Sequence, residues 1–371
     1  MALRIERTIG WRTREGKGRA CEFRTRRSDV SSEFGTQNRF REVQTPFRPQ
    51  RRQLLEHVKT NDVINSVHVG VAGWSYPDWR GVLYPRAKGK GSDDLQVIAS
   101  LFDCVEINST FYREPTPRHA ESWARTVDDR PGFRFTAKVQ RDLTHERSVS
   151  PENIRSGCER MRQGLEPLVD AGRLDVVLAQ FPPWFQDGST ARHRIRCIVE
   201  GLRPLNVQIE VRHRSFFSRS APRSFFQFLE ELGAGFTNVD MPPGASTLPP
   251  STVNTNAIGY VRLHGRNAEA WFDPKAGRDA TYDYLYSQEE LTEWSERLLT
   301  IASRTLSTYA IANNHFRGQA PTNAIELINL FGRPVRALPP SLVALYPRLA
   351  RLEQITEEHC AAERTTGGEA T

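Results

Sequence analysis

The sequence predicts a (β/α)₈ barrel of TIM type, class α/β, behind a largely disordered basic N-terminal extension. Three observations carry this. Eight short runs rich in β-branched residues alternate with helical stretches over about 265 residues. Most of these runs alternate apolar with polar residues, whereas parallel strands covered by helices on both faces read as continuous apolar runs. No Gly-rich phosphate turn follows the first run; "GVAGWSYPDW" is not one, which weighs against an open doubly wound sheet.

The strands are expected at "VHVGVAG" (67–73), "CVEIN" (104–108), "FRFTAKV" (133–139) and "VVLAQF" (176–181). They continue with "VQIEVR" (207–212), "AGFTNVD" (234–240), "IGYVRLHG" (258–265) and "STYAIANN" (307–314). Helices fall between them. "DDLQVIASLF" starts at an aspartate and repeats apolar residues at helical spacing. "PENIRSGCERMRQGLEPLVDAG" begins at a proline and ends at a glycine, and "SQEELTEWSERLLTIAS" carries a Ser-x-x-Glu capping box from Ser287.

The 371 residues divide into an extension (1–66), the barrel (67–350) and a C-terminal tail (351–371). The formal net charge of +7 sits wholly in the extension. Residues 1–66 hold 15 Lys/Arg against 8 Asp/Glu, and the other 305 residues hold 36 of each sign. A short helix is expected in the extension near "RRQLLEHV". The five cysteines are scattered without a C-x-x-C pair, which argues against a cysteine zinc site and a disulfide framework and suits a cytoplasmic protein. No apolar stretch is long enough to span a bilayer, so no membrane partner is expected.

Alternation assigns side chains to faces. Val105 and Ile107 share one face, and Cys104, Glu106 and Asn108 the other. In a barrel the apolar set meets the helices and the polar set meets the lumen. The lumen wall then carries Glu106, Lys138, Gln180, Glu210, Arg212, Arg262 and His264, all near strand C-termini, where barrel active sites lie. The competing reading is an internal ion-pair network that only fills the lumen.

Glu106, Lys138 and Glu210 are the candidate catalytic residues. Lys138 is singled out because the chain uses 45 Arg and only 6 Lys, so a lysine at a strand end suggests that a compact or titratable cation is wanted. Two carboxylates from the second and fifth strands offer an acid/base pair. Aromatic residues crowd the loops: Trp74, Tyr76 and Trp79, then Phe111 and Tyr112, then Phe181 and Trp184. They suit stacking on a sugar or base, or a hydrophobic lid. His213, His264 and His315 with Glu106, Glu210 and Asp240 are the set a divalent metal would need, but no H-x-x-x-H spacing supports one and no metal ligand is assigned. "NNHFRGQA" (313–320), with Arg266 and Arg317, is the expected phosphate cradle.

Several blocks together resemble the YecE-like family, domain of unknown function 72. They include "GVAGWSYPDWRGVLYP", "FDCVEINSTFYREPTP", "IEVRHRSFF", "YVRLHGRN", "YDYLYSQEELTEW" and "NNHFRGQAPTNA". The resemblance covers roughly residues 67–350 and implies a TIM barrel without an established activity. The family's likeness to endonuclease-type barrels has prompted suggestions of nucleic-acid binding or metal-dependent cleavage. This chain lacks the dense His/Asp/Glu set that such a site requires. Carried over by position, the motif residues are Trp74, Glu106, Asn108, Phe111, Tyr112, Lys138, Gln180, Glu210, Arg212, Arg262, His264, Asn313, Asn314 and His315. The expected partner is a small phosphorylated or polyhydroxylated, sugar- or nucleotide-like molecule, hydrolysed or isomerised by Glu/Lys acid–base chemistry. A nucleic acid held by the basic extension, and a ligand sensor without turnover, are the alternatives. The cofactor and the oligomeric state are left open.

Overall fold

Each strand pairs in parallel with the next, and the last returns to the first, closing an eight-stranded barrel in sequence order in this computed structural model. The strands are β1 (Val67–Ala72), β2 (Cys104–Ile107), β3 (Arg134–Lys138), β4 (Leu174–Gln180), β5 (Val207–Glu210), β6 (Gly235–Asp240), β7 (Ile258–Leu263) and β8 (Ser307–Ala312). The structure describes residues 60–87, 93–217 and 224–352. The short helix expected near 51–58 and most of both tails lie outside them. Within the expected extension, Thr60–Asn65 is a helix that leads directly into β1.

The helices start and stop where the sequence signals them. Asp93 caps Asp94–Leu101 by accepting the Leu95 N–H. Ser150 caps Pro151–Asp170, with Pro151 in the first turn, where no N–H partner is needed. The capping box of Gln288–Ala302 is formed in both directions: Ser287 Oγ accepts the Glu290 N–H, and Glu290 accepts the Ser287 N–H. The inner face of that helix buries Leu291, Trp294, Leu298 and Ile301 completely. Each such side chain contributes about 1.5–3 kcal/mol relative to exposure. Truncating Trp294 to alanine would cost about 3–5 kcal/mol.

The barrel has two separate apolar zones. Outward-facing residues such as Val105, Ile107, Phe135, Val177, Ile209 and Val261 pack against the helices. Inward-facing Cys104, Val176, Leu178, Tyr260, Tyr309 and Ile311 fill the lower lumen as a second cluster. The lumen is therefore plugged from below by apolar and aromatic side chains. The polar inward residues that follow them, two positions later at Glu106, Gln180, Arg262 and Asn313, fall at the C-terminal mouth. No helix among the described residues is long and apolar enough to cross a membrane.

Candidate functional site

The floor of the mouth is a set of buried charges. Arg262, from β7, is 1% exposed and lies between carboxylates from two other strands. Its terminal nitrogens donate to Glu106 Oε1 and Glu210 Oε2, each at 2.7 Å. Tyr260, two residues earlier on the same face, donates to Glu106 Oε2 at 3.0 Å, and its hydroxyl meets Thr136 Oγ1 at 2.7 Å. Arg212 donates through Nε to Glu210 Oε1 at 3.0 Å. His264 Nε2 lies 3.1 Å from the same oxygen, and its Nδ1 lies 2.9 Å from Asn313 Nδ2. The amide as placed donates to Nδ1, so Nε2 carries the ring proton and donates to Glu210. Burial holds His264 neutral, with a pKa lowered to about 3. Burial alone would raise the Glu210 pKa, but Arg262, His264 and Arg212 outweigh it and keep the carboxyl well below its usual range.

Such a network is costly to bury, because the ions lose their hydration energy and recover it only through well-aligned partners. Here the charge-assisted bonds fix the Arg262 guanidinium in one orientation. Both glutamates are fully buried beneath it.

Above this floor opens a cavity of about 950 Å³. Ten of the sequence-selected residues line it: Trp74, Asn108, Phe111, Tyr112, Lys138, Gln180, Arg212, Arg262, Asn313 and His315. Glu106, Glu210 and His264 lie under the lining rather than in it. Asn314 turns away from the cavity: its Nδ2 donates to Tyr284 O and Asn323 Oδ1, both at 2.8 Å, tying the end of β8 to the following helix. The strand ends at Ala312, so alternation no longer orients side chains there.

Lys138 stands at the end of β3 with Nζ 3.2 Å from Gln180 Oε1 and 4.2 Å from the centre of the Phe111 ring. Burial and the neighbouring Arg262 lower its pKa to about 7, against the opposing pull of Glu106 and Glu210. The walls are aromatic. Gly73 turns the chain after β1 with φ of +78°, a conformation that favours glycine, and an added Cβ would lie 3.1 Å from the Tyr76 hydroxyl. That hydroxyl donates to Ala72 O at 2.6 Å. Tyr76 stacks on His315 at 4.6 Å, and Tyr282 covers the same imidazole at 5.3 Å. Trp74 meets Trp123 edge-on. Trp79 and Phe181, grouped with these by sequence, are instead buried in the packing core.

Several lining residues escaped the sequence reading. His145 lies in the short segment after β3, its ring 4.9 Å from Phe111. Trp123 and His119 come from the helix Pro117–Thr126, one turn apart. Tyr282 belongs to "YDYLYSQEELTEW", and that block was the only available signal. Arg141 and Arg113 also reach the cavity, and neither has a carboxylate within ion-pair distance among the described residues.

The expected phosphate cradle at the ends of β7 and β8 is a correction. Arg266 is engaged by Asp240 at 2.9 Å and Glu290 at 2.8 Å. The Arg317 N–H, the donor an anion would use, binds the Asp78 carboxylate at 2.6 Å. Protein carboxylates already hold the positions a phosphate would take. A divalent metal fits the residues no better. Glu106 and Glu210 are bound to guanidiniums and Asp240 to Arg266 and Tyr286, while His264 is oriented by Asn313 and Glu210. No group of three or more His, Cys, Asp or Glu able to hold a metal occurs among the described residues.

The family described as "Protein of unknown function DUF72" matches residues 68–345. The chain belongs to the DUF72 family. Among its relatives is the UPF0759 protein YunF of Bacillus subtilis, 27% identical over 287 residues, covering 76% of this chain and all of YunF. The UPF0759 protein YecE of Escherichia coli is 26% identical over 190 residues, half of this chain and 63% of YecE. The YecE-like resemblance therefore holds. A crystal structure of a DUF72 protein from Thermotoga maritima is 30% identical, with a TM-score of 0.61 over 72% of this chain and 99% of that one. A DUF72 structure from Enterococcus faecalis, 22% identical, shows the same fold with a TM-score of 0.62 over 74% of this chain and 98% of that one. DUF72 membership and the barrel are thus established, and the chemistry has to be argued from the mouth itself.

Proposed function

We propose that the barrel mouth binds a small anionic molecule with a ring, a phosphorylated or polyhydroxylated compound of sugar or nucleotide type, and that Lys138 transfers a proton on it. One observation carries this reading. Three cations, Lys138, Arg212 and Arg262, face a cavity with aromatic walls, while the two carboxylates that partly balance them are sealed beneath. With Lys138 protonated, three positive groups stand against two negative ones, and Arg113 and Arg141 also line the cavity, so an anion is favoured. Trp74, Tyr76, Phe111 and Tyr112 supply flat faces for a ring. Glu106 and Glu210 act through Arg262 as positioning residues. Lys138 exchanges its proton near neutrality, as a general acid–base group should. This chemistry suits isomerisation or hydrolysis.

Titration calorimetry with sugar phosphates and nucleoside monophosphates, each beside its dephosphorylated form, tests the reading. The phosphorylated member should bind at least ~10-fold more tightly, about 1.4 kcal/mol, and Arg212→Met should erase most of that preference. Equal affinity for charged and neutral members would overturn it. The nucleic-acid alternative has one observation behind it, the +7 charge confined to residues 1–66. It requires that deleting those residues flatten the salt dependence of RNA or DNA binding.

A further inference from the structure

We infer that Lys138 is an imine-forming nucleophile, so that the ligand of this cavity carries an aldehyde or ketone beside its anionic group. The inference rests on the cavity reading above, narrows its substrate class, and gives Lys138 covalent attack in place of simple proton transfer.

The geometry around Lys138 is unusual for a structural lysine. It is 9% exposed, yet no carboxylate lies within ion-pair distance of it among the described residues. Its hydrogen bond goes to the neutral oxygen of Gln180, and its ammonium rests on the Phe111 ring. Both nearby glutamates are bonded to arginine instead. A buried cation lacking a direct counter-ion is unfavourable, and a structural role would be better served by arginine, the residue this chain uses 45 times against 6 lysines. Arginine keeps its charge and is a poor nucleophile, whereas an amine can lose its proton and attack carbon. The lowering of the Lys138 pKa to about 7 is consistent with this, since near neutrality about half of such groups are free amine.

The step balances without any further reagent. The free amine attacks the carbonyl carbon and forms an N–C bond, and the C=O π electrons move to oxygen. Arg212 and Arg262 line the same cavity and favour the alkoxide that develops. Both amine protons pass to that oxygen, which leaves as water, giving the imine. The imine then withdraws electrons from the adjacent carbon, which is what isomerising a hydroxy-carbonyl compound requires.

Pyridoxal 5′-phosphate, an aldehyde with a ring and a phosphate, is a suitable probe for the full chain. Borohydride reduction followed by peptide mass mapping should place the adduct on Lys138 at least ~10-fold over the exposed Lys275, with labelling rising through about pH 7. Lys138→Met should abolish the adduct. Lys138→Arg, which keeps the charge, should abolish it too while retaining the wild-type unfolding midpoint. Labelling of Lys275 with Lys138 untouched between about pH 6 and pH 9 overturns the inference. Pyridoxine 5′-phosphate, which lacks the aldehyde, separates the two readings. If it binds while Lys138 forms no imine, the nucleophile is refuted and the cavity reading survives. If it does not bind while Lys138 is labelled, the nucleophile stands and the ring-anion reading is refuted.

Discussion

Arg262 and Arg266 lie four residues apart at the end of β7, each between two carboxylates, yet only one belongs to a site. Arg262 joins Glu106 to Glu210 on the floor of the cavity. Arg266 joins Asp240 to Glu290 on the far side of the rim, where Tyr286 completes Asp240 with a 2.6 Å hydrogen bond. Around Arg266 the negative charges outnumber the positive. Around Arg262 two further cations, Lys138 and Arg212, reverse that balance and open on a cavity. A binding region is marked by the charge its neighbours leave over, not by the presence of an arginine.

Removing each arginine separates these roles. Arg262→Met leaves Glu106 with Tyr260 alone and Glu210 with Arg212 and His264, removes the guanidinium that both fully buried carboxylates share, and should cost about 3–5 kcal/mol in urea unfolding at neutral pH, together with ligand binding. Arg266→Met should cost less, about 2–3 kcal/mol, because Arg266 and Glu290 are partly exposed and Tyr286 still bonds Asp240, and should leave ligand affinity unchanged. Equal losses of affinity in both variants would erase the contrast.

The next effect is of pH. His264, fully buried, has a pKa lowered to about 3, so between that value and the unfolded value of about 6.5 only the unfolded chain takes up its proton. Stability contributed by the neutral ring is present above about pH 6.5 and falls as pH drops, by up to about 1.4 kcal/mol per pH unit. His145 and His315, both lowered to about 4, act in the same direction. Urea midpoints should fall between about pH 7 and pH 5, and fall less steeply in His264→Gln. A flat profile would contradict the neutral imidazoles.

Smaller still is Arg212→Met. Glu210 retains Arg262 and His264, so stability should change by less than about 1 kcal/mol while anion affinity drops about 10-fold. Tyr112→Ser is the mildest. With Tyr112 71% exposed, stability should hold within about 0.5 kcal/mol, and affinity for a ring-bearing ligand should fall a few-fold.

The barrel was legible because alternation is a local property. Val105, Glu106 and Ile107 report their faces without knowledge of any other strand, and Lys138, Gln180 and Arg262 follow the same rule. Depth and pairing are not local. Nothing near Glu106 indicates that Arg262, 156 residues later, closes over it. Nothing near Arg266 or Arg317 shows that Glu290 and Asp78 forestall a phosphate. His145 and Tyr282 sit in irregular segments, where no periodicity reports direction. Asn314 lies just past a strand end, so the pattern that served for Asn313 gives no direction for it.

The Trp79 indole N–H donates to the His315 carbonyl at 2.7 Å across 236 residues, beside the β1–β8 seam. The loop after the first strand is thereby stapled to the loop after the last. A chain emerging from the ribosome has no complete pocket until its eighth strand docks, because Asn313 and the His315 ring that Tyr76 and Tyr282 flank are missing before then. Ring closure of such long-range topology is slow. A nascent or truncated chain ending before residue 307, the start of β8, should therefore expose tryptophan and tyrosine faces to chaperones rather than to a ligand.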